Sequence, residues 1–391
     1  METTDLKTLF DECPDRRDTN SYKWDSVRCE VPMWVADMDF RTAPCIIDAL
    51  RRRVDHGVFG YTCVQPPFYD ALCGWFSSRH GYDIDRDMVI LTPGIVPAIS
   101  AIIKALVLPG EGVIVQTPVY NCFYSCVRNN GCNLLENTLI KVPASDPDTF
   151  TYSMDFDDLE NMCARPDAKL LLLCNPGNPS GRLWTRDELS RVADICRRHG
   201  VRILSDEIHC ELTMPGTEYV PFATVDPSAV VCVSPTKAFN IAGLQISAIV
   251  CPDAVTRAAV DRAVNINEVC DVNPFGVEAL KAAYTPEGAE WLDALREYLA
   301  ENYRIARSML LESLPDVEIS RLEATYLPWV DVSPLGLTGT EAESLILDKT
   351  GVRVNAGAMY GDDRFIRLNI ACPREMLVRG LEGVIAALSS I

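Results

Sequence analysis

The stretch that decides the fold is residues 169–206, KLLLLCNPGNPSGRLWTRDELSRVADICRRHGVRILSD. It begins with a continuous apolar run at 169–174, which is typical of a strand covered on both faces. Residues 185–199 have helical spacing, and a second strand-like run follows at 201–205. A strand, a helix and a further strand in this order indicate parallel pairing within one sheet.

The same alternation extends along the chain on both sides of this unit. The other predicted elements are helices at 43–56, 66–79 and 95–107 and strands at 88–91, 113–116 and 229–233. Strands that alternate with helices indicate a mostly parallel, doubly wound α/β sheet. We therefore predict a large α/β domain over residues 46–284.

The pattern changes after about residue 285. A long helical pattern at 287–314 is followed by short strands and two more helices. These strands are predicted at 316–320, 328–332, 352–354 and 364–370, and the helices at 339–349 and 373–389. The arrangement indicates a smaller α+β domain over residues 285–391. Residues 1–45 fit neither pattern, and we expect them to pack against the small domain.

The composition and net charge exclude several classes of protein. The 391 residues are 48% hydrophobic and 23% charged, which is ordinary for a globular chain and excludes a disordered or fibrous one. Because 55 Asp and Glu residues stand against 36 Lys and Arg, the formal net charge is −19. A field of this sign repels phosphate backbones and anionic lipid, so we expect neither nucleic acid nor a membrane as a partner.

The cysteines indicate the compartment. Sixteen cysteines are scattered singly without a CxxC pair, and only four histidines are present. A chain of this length needs no disulfides to fold, and it shows no apolar run of signal-peptide or membrane-span length. We therefore expect a reduced, cytoplasmic protein without a metal site.

The strongest local signal for chemistry is the sequence SPTKAFN at 234–240, directly after the predicted strand 229–233. A lysine is ordinarily a solvated surface group, whereas Lys237 follows a buried strand. Partial burial lowers the pKa of an amine and so favours its nucleophilic form. The pattern predicts a lysine that binds pyridoxal 5′-phosphate (PLP) as a Schiff base, with Ser234 and Thr236 donating hydrogen bonds to the phosphate.

Two further segments follow predicted strands. Asp206 comes directly after 201–205, and a carboxylate at the C-terminal end of a parallel strand points into the ligand crevice. The alternative role for Asp206 is a helix N-cap. The turn TPGIVP at 92–97 opens a predicted helix, so the free backbone N–H groups of Ile95 and Val96 form a natural phosphate site. The alternative is a plain strand-to-helix turn.

In this order along the chain, the segments resemble the motifs of the aspartate aminotransferase fold family, the fold-type I group of PLP enzymes. The resemblance implies that Asp206 pairs with the pyridine nitrogen and keeps it protonated, which makes the ring an electron sink. It also implies that Asn175, in the turn NPGNPSG, hydrogen-bonds the phenolic oxygen of the cofactor. Tyr120 is the aromatic residue that the resemblance stacks on the pyridine ring.

The resemblance also supplies roles for two residues far from these segments. Arg367 lies in the apolar stretch FIRLN at 365–369, where a buried arginine needs a partner. The family places a bidentate clamp for the α-carboxylate of an amino-acid substrate here. Tyr61 resembles the tyrosine that reaches the phosphate of the neighbouring subunit, which implies a homodimer with a shared active site.

Two departures from the aminotransferase pattern and one sequence motif indicate which branch of the family the chain resembles. Gln245 stands where the aminotransferases usually have a second phosphate-binding arginine, and His209, which we include among the cofactor contacts, stands where they commonly have a tyrosine. The string VPMWVADMDF at 31–40 resembles the signature of the MalY/PatB-type C–S β-lyases. Further agreement comes from HGVFGYT at 56–62, DEIHC at 206–210, KAFNIAGLQ at 237–245 and RLNIACPR at 367–374.

The resemblance implies a PLP-dependent C–S β-lyase. Such an enzyme cleaves L-cystathionine or a related cysteine S-conjugate to a thiol, pyruvate and ammonia, with Lys237 as the general base. The nearest alternative is a PLP-dependent aminotransferase that acts on an amino acid and a 2-oxo acid. A protein that uses the fold to bind another protein is a further alternative, although it would not require Lys237, Asp206 and Arg367.

Overall fold

The computed structural model describes residues 6, 8–266, 268 and 271–391. Its helices are α1 (Tyr22–Asp25), α2 (Pro44–His56), α3 (Pro66–His80), α4 (Ile95–Leu106), α5 (Asn121–Asn129), α6 (Phe156–Cys163), α7 (Arg186–His199), α8 (Ala254–Ile266), α9 (Pro274–Ala283), α10 (Pro286–Ser313), α11 (Gly339–Thr350) and α12 (Arg374–Leu388). None of these described helices is both long enough and apolar enough to cross a membrane.

The strands of the described chain form three sheets. They are β1 (Val31–Pro32), β2 (Val89–Thr92), β3 (Gly112–Thr117), β4 (Asn133–Thr138), β5 (Ile140–Pro143), β6 (Thr149–Ser153), β7 (Ala168–Cys174), β8 (Arg202–Asp206), β9 (Val230–Val233), β10 (Ser247–Val250), β11 (Glu318–Ser320), β12 (Trp329–Asp331), β13 (Val352–Arg353), β14 (Asn355–Ala356) and β15 (Phe365–Arg367). The largest sheet has the strand order β2-β10-β9-β8-β7-β3-β4.

The largest sheet is doubly wound, as the sequence predicts. Strands β9, β8, β7, β3 and β4 pair in parallel, and only β10 runs antiparallel to its neighbours. Alternate residues of β7 enter different cores: Leu170 and Leu172 pack with residues of α4, and Leu171 and Leu173 pack with residues of α7. The continuous apolar run therefore reflects helices on both faces of the sheet.

Local capping explains where α7 begins and ends. Thr185 and Glu188 form a reciprocal capping box at its start, and Gly200 ends the helix with a left-handed φ of 68°. This conformation is open to glycine at little cost. Because the helix ends at Gly200, the chain can turn there and enter β8 at Arg202.

The second large sheet differs from the prediction in its membership. Its strand order is β14-β15-β12-β11-β6-β5, so residues 140–153 supply two strands although they fall within the predicted large domain. The reason is the long-range parallel pairing of Ile319 with Thr149, which no local pattern encodes. Strands β4 and β10 of the first sheet were likewise not predicted.

The N-terminal segment pairs with the C-terminal part of the chain. Val31 and Pro32 pair in parallel with Val352 and Arg353, and the N–H of Asn369 donates to the carbonyl of Met33 at 2.9 Å. Residues 29–40 are therefore held against strands and loops from the last forty residues, although the exact domain boundaries remain a prediction.

Candidate active site

Most of the predicted site residues meet at one edge of the large sheet. Strands β2, β3, β7, β8 and β9 all end there, because β2 and β9 both run antiparallel to the β10 strand between them. A cavity of about 490 Å³ lies at this edge. Eight predicted residues line it: Ile95, Val96, Tyr120, Asp206, His209, Thr236, Lys237 and Arg367.

Lys237 lies half-buried in this cavity. Its Nζ donates a hydrogen bond to the carbonyl of Ala36 at 2.7 Å. Burial lowers the pKa of Lys237 to about 8, while the carboxylate of Asp37 acts in the opposite direction and Arg367 assists the lowering. With this pKa, part of the Lys237 amine is neutral near pH 7, and the neutral amine is the form that attacks a carbonyl carbon.

This pKa leads to a testable pH dependence. In cofactor-free protein, we expect acetylation of Lys237 by trace acetic anhydride to rise about tenfold per pH unit below pH 8 and to level off above it, because only the neutral amine reacts and the reagent itself does not titrate. A lysine in a short free peptide provides the reference, since its rate continues to rise towards the ordinary pKa of 10.5. Peptide mass spectrometry measures both rates, and a rise at Lys237 that continues beyond pH 10 would contradict the prediction.

Asp206 is a buried carboxylate without a cationic partner in the described chain. It is 3% exposed and accepts a hydrogen bond from the N–H of Ile208 at 3.1 Å. Burial raises its pKa to about 7. A protonated pyridine nitrogen would provide the positive charge that this carboxylate lacks, so Asp206 fits PLP.

Backbone and hydroxyl donors lie at the start of α4 and after β9. Gly94 precedes α4, and the first N–H groups of a helix have no partner within it. The hydroxyl of Thr236 lies 2.7 Å from that of Ser234, and Ser234 donates to the carbonyl of Ile246 at 2.7 Å. Thr236 lines the cavity, whereas Ser234 lies outside the cavity wall. The Ser234 hydroxyl donates to Ile246 and not to the cavity, so the structure does not support the phosphate contact predicted for Ser234.

Arg367 is a buried guanidinium, and none of the described carboxylates lies within ion-pair distance of it. It is 3% exposed, and it donates to Asn178 Oδ1 at 3.1 Å and to the carbonyl of Trp34 at 2.9 Å. Its Nε has no hydrogen-bond partner in the described part of the chain, and its charged group lies 4.5 Å from the ring centroid of Tyr360. A buried cation held only by neutral groups fits an anionic ligand such as a carboxylate.

The structure does not place Asn175 on the cavity wall. Its side-chain amide donates to Glu207 Oε1 at 3.2 Å and to the carbonyl of Val220 at 3.0 Å. The residue of the same turn that lines the cavity is Asn178. The turn contains two Asn-Pro pairs, so the local sequence does not distinguish the two asparagines. The prediction that Asn175 contacts the cavity is wrong in this structure, where Asn178 lines it.

His209 and Tyr61 occupy very different surroundings. His209 is 2% exposed, and none of the described residues forms a hydrogen bond with its Nδ1. Burial lowers the pKa of His209 to about 3, so the ring is neutral at physiological pH. Tyr61 is fully exposed beside the exposed Val58 and Phe59 and does not line the cavity. Within a single chain Tyr61 does not contact the site.

The motifs do not predict that main-chain carbonyls of residues 34–37 belong to the site. The Trp34 carbonyl binds Arg367, and the Ala36 carbonyl binds both Lys237 and the hydroxyl of Tyr326 at 3.0 Å. The side-chain amide of Asn369 donates to the carbonyls of Val35 and Asp37. The string at 31–40 is the only indication in the motifs that this segment belongs to the site. Every residue has a main-chain carbonyl, so residue type does not indicate which carbonyls bind Lys237 and Arg367.

A buried ion cluster anchors this segment. Lys23 Nζ lies 2.6 Å from Asp39 Oδ2, and both side chains are almost fully buried. Arg16 NH1 and the indole of Trp24 also donate to Asp39, at 2.7 and 2.8 Å. Arg16 NH2 additionally pairs with Asp37 at 2.7 Å. The cluster fixes residues 37–39, immediately after the carbonyls that hold Lys237 and Arg367.

We expect Lys23→Met to lower the free energy of unfolding by about 3 kcal/mol, because it leaves a buried carboxylate short of one cation. Equilibrium urea unfolding followed by tryptophan fluorescence measures the loss. The matched control is Arg51→Met, which removes an exposed pair with Asp48 and should cost less than about 1 kcal/mol. Equal losses in the two variants would contradict a structural role for the cluster.

Comparison with known proteins agrees with this geometry. Residues 32–384 match the family model described as aminotransferase class I and II. The chain is 41% identical to the cystathionine beta-lyase PatB of Bacillus subtilis (strain 168), over 97% of this chain and 100% of PatB. It is 34% identical to the protein MalY of Escherichia coli (strain K12), over 98% of this chain and 99% of MalY.

A solved structure extends the similarity to three dimensions. The PLP-bound C–S lyase of Staphylococcus hominis superimposes with a TM-score of 0.90 at 31% identity, covering 97% of this chain and 98% of that one. The chain belongs to the class I and II aminotransferase family, the fold-type I PLP-dependent group. Within that family its identity to PatB and MalY assigns it to their branch, which confirms the resemblance that the motifs indicated.

Proposed function

We propose that this protein is a PLP-dependent C–S β-lyase that cleaves L-cystathionine or a related cysteine S-conjugate to a thiol, pyruvate and ammonia. The observation that carries the proposal is the convergence of Lys237, Asp206 and Arg367 in one cavity. The similarity to PatB over the whole chain supports the lyase reaction.

Five groups of the cavity are suited to hold the cofactor. Asp206 would bind the ring nitrogen, Tyr120 would cover a ring face, and Asn178 would offer its amide N–H groups to the phenolic oxygen, because its Oδ1 accepts from Arg367. The N-terminal amides of α4 and the hydroxyl of Thr236 would bind the phosphate. When bound, PLP supplies an electron sink that stabilises negative charge at the α-carbon of the substrate.

The remaining chemistry belongs to Arg367 and Lys237. Arg367 binds the substrate α-carboxylate and so orients the Cα–H bond. Lys237 removes that proton as general base. Its hydrogen bond to the Ala36 carbonyl engages one N–H and leaves the lone pair of the neutral amine free for the substrate. The sulfur then leaves the β-carbon as a thiolate, and water completes the conversion to pyruvate and ammonia.

An aminotransferase is the second candidate function. The family description supports it, and transamination shares the steps that bind the carboxylate and remove the α-proton. Gln245, which lines the cavity with a left-handed φ of 51°, stands where aminotransferases usually have a phosphate-binding arginine. This departure favours the lyase.

One incubation separates the two functions. PLP-loaded protein is mixed with L-cystathionine in the absence of any 2-oxo acid, and pyruvate and free thiol are followed together. Equimolar pyruvate and thiol over many turnovers are expected for the lyase. If neither forms, and a 2-oxo acid added to the mixture yields a new amino acid, the aminotransferase is the correct assignment.

We further propose a cytoplasmic homodimer in which Tyr61 completes the partner's site. The exposed apolar side chains around Tyr61 support an interface there. All cysteines in the described part of the chain are free thiols, which fits a reducing compartment.

The shared site predicts complementation between two inactive variants. Lys237→Ala and Tyr61→Ala proteins, mixed and allowed to exchange subunits, should regain about a quarter of the wild-type sites, since half of the dimers are mixed and each has one intact site. Pyruvate release before and after exchange measures the gain. A mixture that stays as inactive as its components, although native mass spectrometry shows mixed dimers, would contradict the shared site.

A further inference from the structure

We propose that Asn240 is a positioning residue for Lys237. Its side chain ties residues 38–40 to the loop that carries the lysine, and it thereby fixes the Ala36 carbonyl to which the lysine amine bonds. This role rests on the proposed function, in which the free amine of Lys237 removes the α-proton as general base. Asn240 itself does not line the cavity, so it acts on the reaction through this contact.

The side-chain amide of Asn240 matches the main chain of residues 38–40. Its Oδ1 accepts a hydrogen bond from the N–H of Met38 at 2.9 Å. Its Nδ2 donates to the carbonyls of Met38 and Phe40 at 2.9 and 2.8 Å. Both N–H groups of the amide and its oxygen are therefore used. An aspartate of the same shape could keep the first bond but would turn an oxygen towards the two carbonyls.

The loop that carries Lys237 is closed on itself. The N–H of Ile241 bonds to the carbonyl of Thr236 at 3.0 Å, which forms a turn over residues 236–241. Within this turn Asn240 adopts a left-handed φ of 54°, a conformation that asparagine tolerates better than most residues. Lys237 lies three positions before Asn240, so the Asn240 amide also holds the main chain from which the lysine side chain extends.

The segment that Asn240 holds presents a carbonyl to the lysine. The Ala36 carbonyl accepts hydrogen bonds from Lys237 Nζ at 2.7 Å and from the Tyr326 hydroxyl at 3.0 Å. Met38, the first residue that the amide of Asn240 holds, lies two positions after Ala36. Two residues of chain leave little slack, so a displacement of Met38 also moves the Ala36 carbonyl and with it the amine that acts as base.

The buried ion cluster does not replace this tie. Asp39 pairs with Lys23 at 2.6 Å and with Arg16 at 2.7 Å. Both partners belong to the N-terminal segment and not to the lysine loop. The cluster therefore holds Asp39 against residues 16–23, whereas Asn240 determines where the same segment lies relative to the lysine loop.

One further bond joins the two segments when the amide is removed. The hydroxyl of Thr42 donates to the carbonyl of Phe239 at 2.6 Å. It keeps the segment near the lysine loop without contacting residues 38–40. We therefore expect variants at Asn240 to remain folded while the Ala36 carbonyl loses its fixed position.

The test measures the base function of Lys237 directly. PLP-loaded protein is incubated with L-alanine in D₂O, and the exchange of the α-hydrogen for deuterium is followed by NMR spectroscopy. L-Alanine has no leaving group on its β-carbon, so the exchange reports proton removal whether the enzyme is a lyase or an aminotransferase. Rates are expressed per bound PLP, which removes differences in cofactor content between variants.

Two variants remove the amide in different ways. Asn240→Asp replaces both donors by an acceptor, and Asn240→Gly removes the side chain but leaves the left-handed conformation open. We expect each to lower the exchange rate at saturating alanine about 30-fold, because a displaced base slows proton transfer. The KM for alanine should change less than about threefold, because the Arg367 clamp stays in place.

A double variant tests whether the Ala36 carbonyl is the connection. Tyr326→Phe removes the other side-chain hydrogen bond to this carbonyl, and we expect it to lower the exchange rate about fivefold. Added to Asn240→Gly, it should lower the rate less than about twofold further, since both changes act through one carbonyl. Losses that multiply in the double variant would overturn the connection through Ala36.

Asn133→Asp is the matched control, because it makes the same chemical change in an amide that bonds the Gly110 carbonyl at 2.7 Å outside the cavity wall. It should keep the exchange rate within about twofold. A wild-type rate in Asn240→Gly, or a loss confined to KM, would overturn the positioning role. A wild type that exchanges the α-hydrogen of alanine but releases no pyruvate from L-cystathionine would instead overturn the lyase function and leave the role of Asn240 standing.

Discussion

A Lys237→Ala protein is expected to release pyruvate from L-cystathionine at least about 10⁴-fold more slowly than the wild type. The substitution removes the amine that attaches the cofactor and the base that takes the α-proton, and a positioned base alone contributes about 10²- to 10⁴-fold. Steady-state pyruvate formation measures the loss. A variant that still releases pyruvate at the wild-type rate would overturn the assignment of Lys237.

The controls for Lys237 follow from its few contacts. Among the described residues its Nζ bonds only to the Ala36 carbonyl, which retains the Tyr326 hydroxyl, so we expect the folded structure to survive the substitution. Lys169→Ala is the matched control, because its ammonium likewise bonds a single carbonyl, that of Pro166. It should keep full activity. Partial rescue of Lys237→Ala by added ethylamine would identify the missing group as an amine.

Arg367→Ala is expected to lower kcat/KM for a cysteine S-conjugate by about 10²- to 10³-fold, because it leaves the substrate carboxylate buried without its cation. Arg367→Lys should recover only part of the loss, since an ammonium cannot form the two parallel bonds of a guanidinium. Arg364→Ala is the control on the same segment, because Arg364 is exposed and pairs with Asp362 at 2.6 Å.

The carboxylate role of Arg367 has a more specific signature than lost activity. The wild type should prefer the free acid of a cysteine S-conjugate over its methyl ester by about 10²-fold or more. In Arg367→Ala this preference should collapse towards one, because both substrates then lack the clamp. A preference that persists in the variant would mean that another group binds the carboxylate.

Much of the large domain could be predicted because its signals are local. The apolar run of β7 and the capped helix α7 are properties of neighbouring residues, and their alternation determines a parallel sheet. Lys237 and Asp206 follow the strands β9 and β8, so their meeting at one sheet edge also follows from the order of elements. The structure places both on the cavity wall.

Features that depend on distant pairings could not be predicted in this way. Strand β6 joins the second sheet only because it pairs with β11, about 170 residues further along the chain. The turn NPGNPSG offers two equivalent asparagines, and only the packing around Glu207 and Arg367 separates Asn175 from Asn178.

The sequence by itself determined the fold class, the family motifs and the identity of the nucleophilic lysine, because residue type and spacing carry that information. The tertiary structure alone decided what surrounds them. It brings the carbonyls of residues 34 and 36 to Arg367 and Lys237, which lie 333 and 201 residues away. Such contacts use main-chain atoms that every residue has, so their partners depend on the fold rather than on the side chains in the sequence.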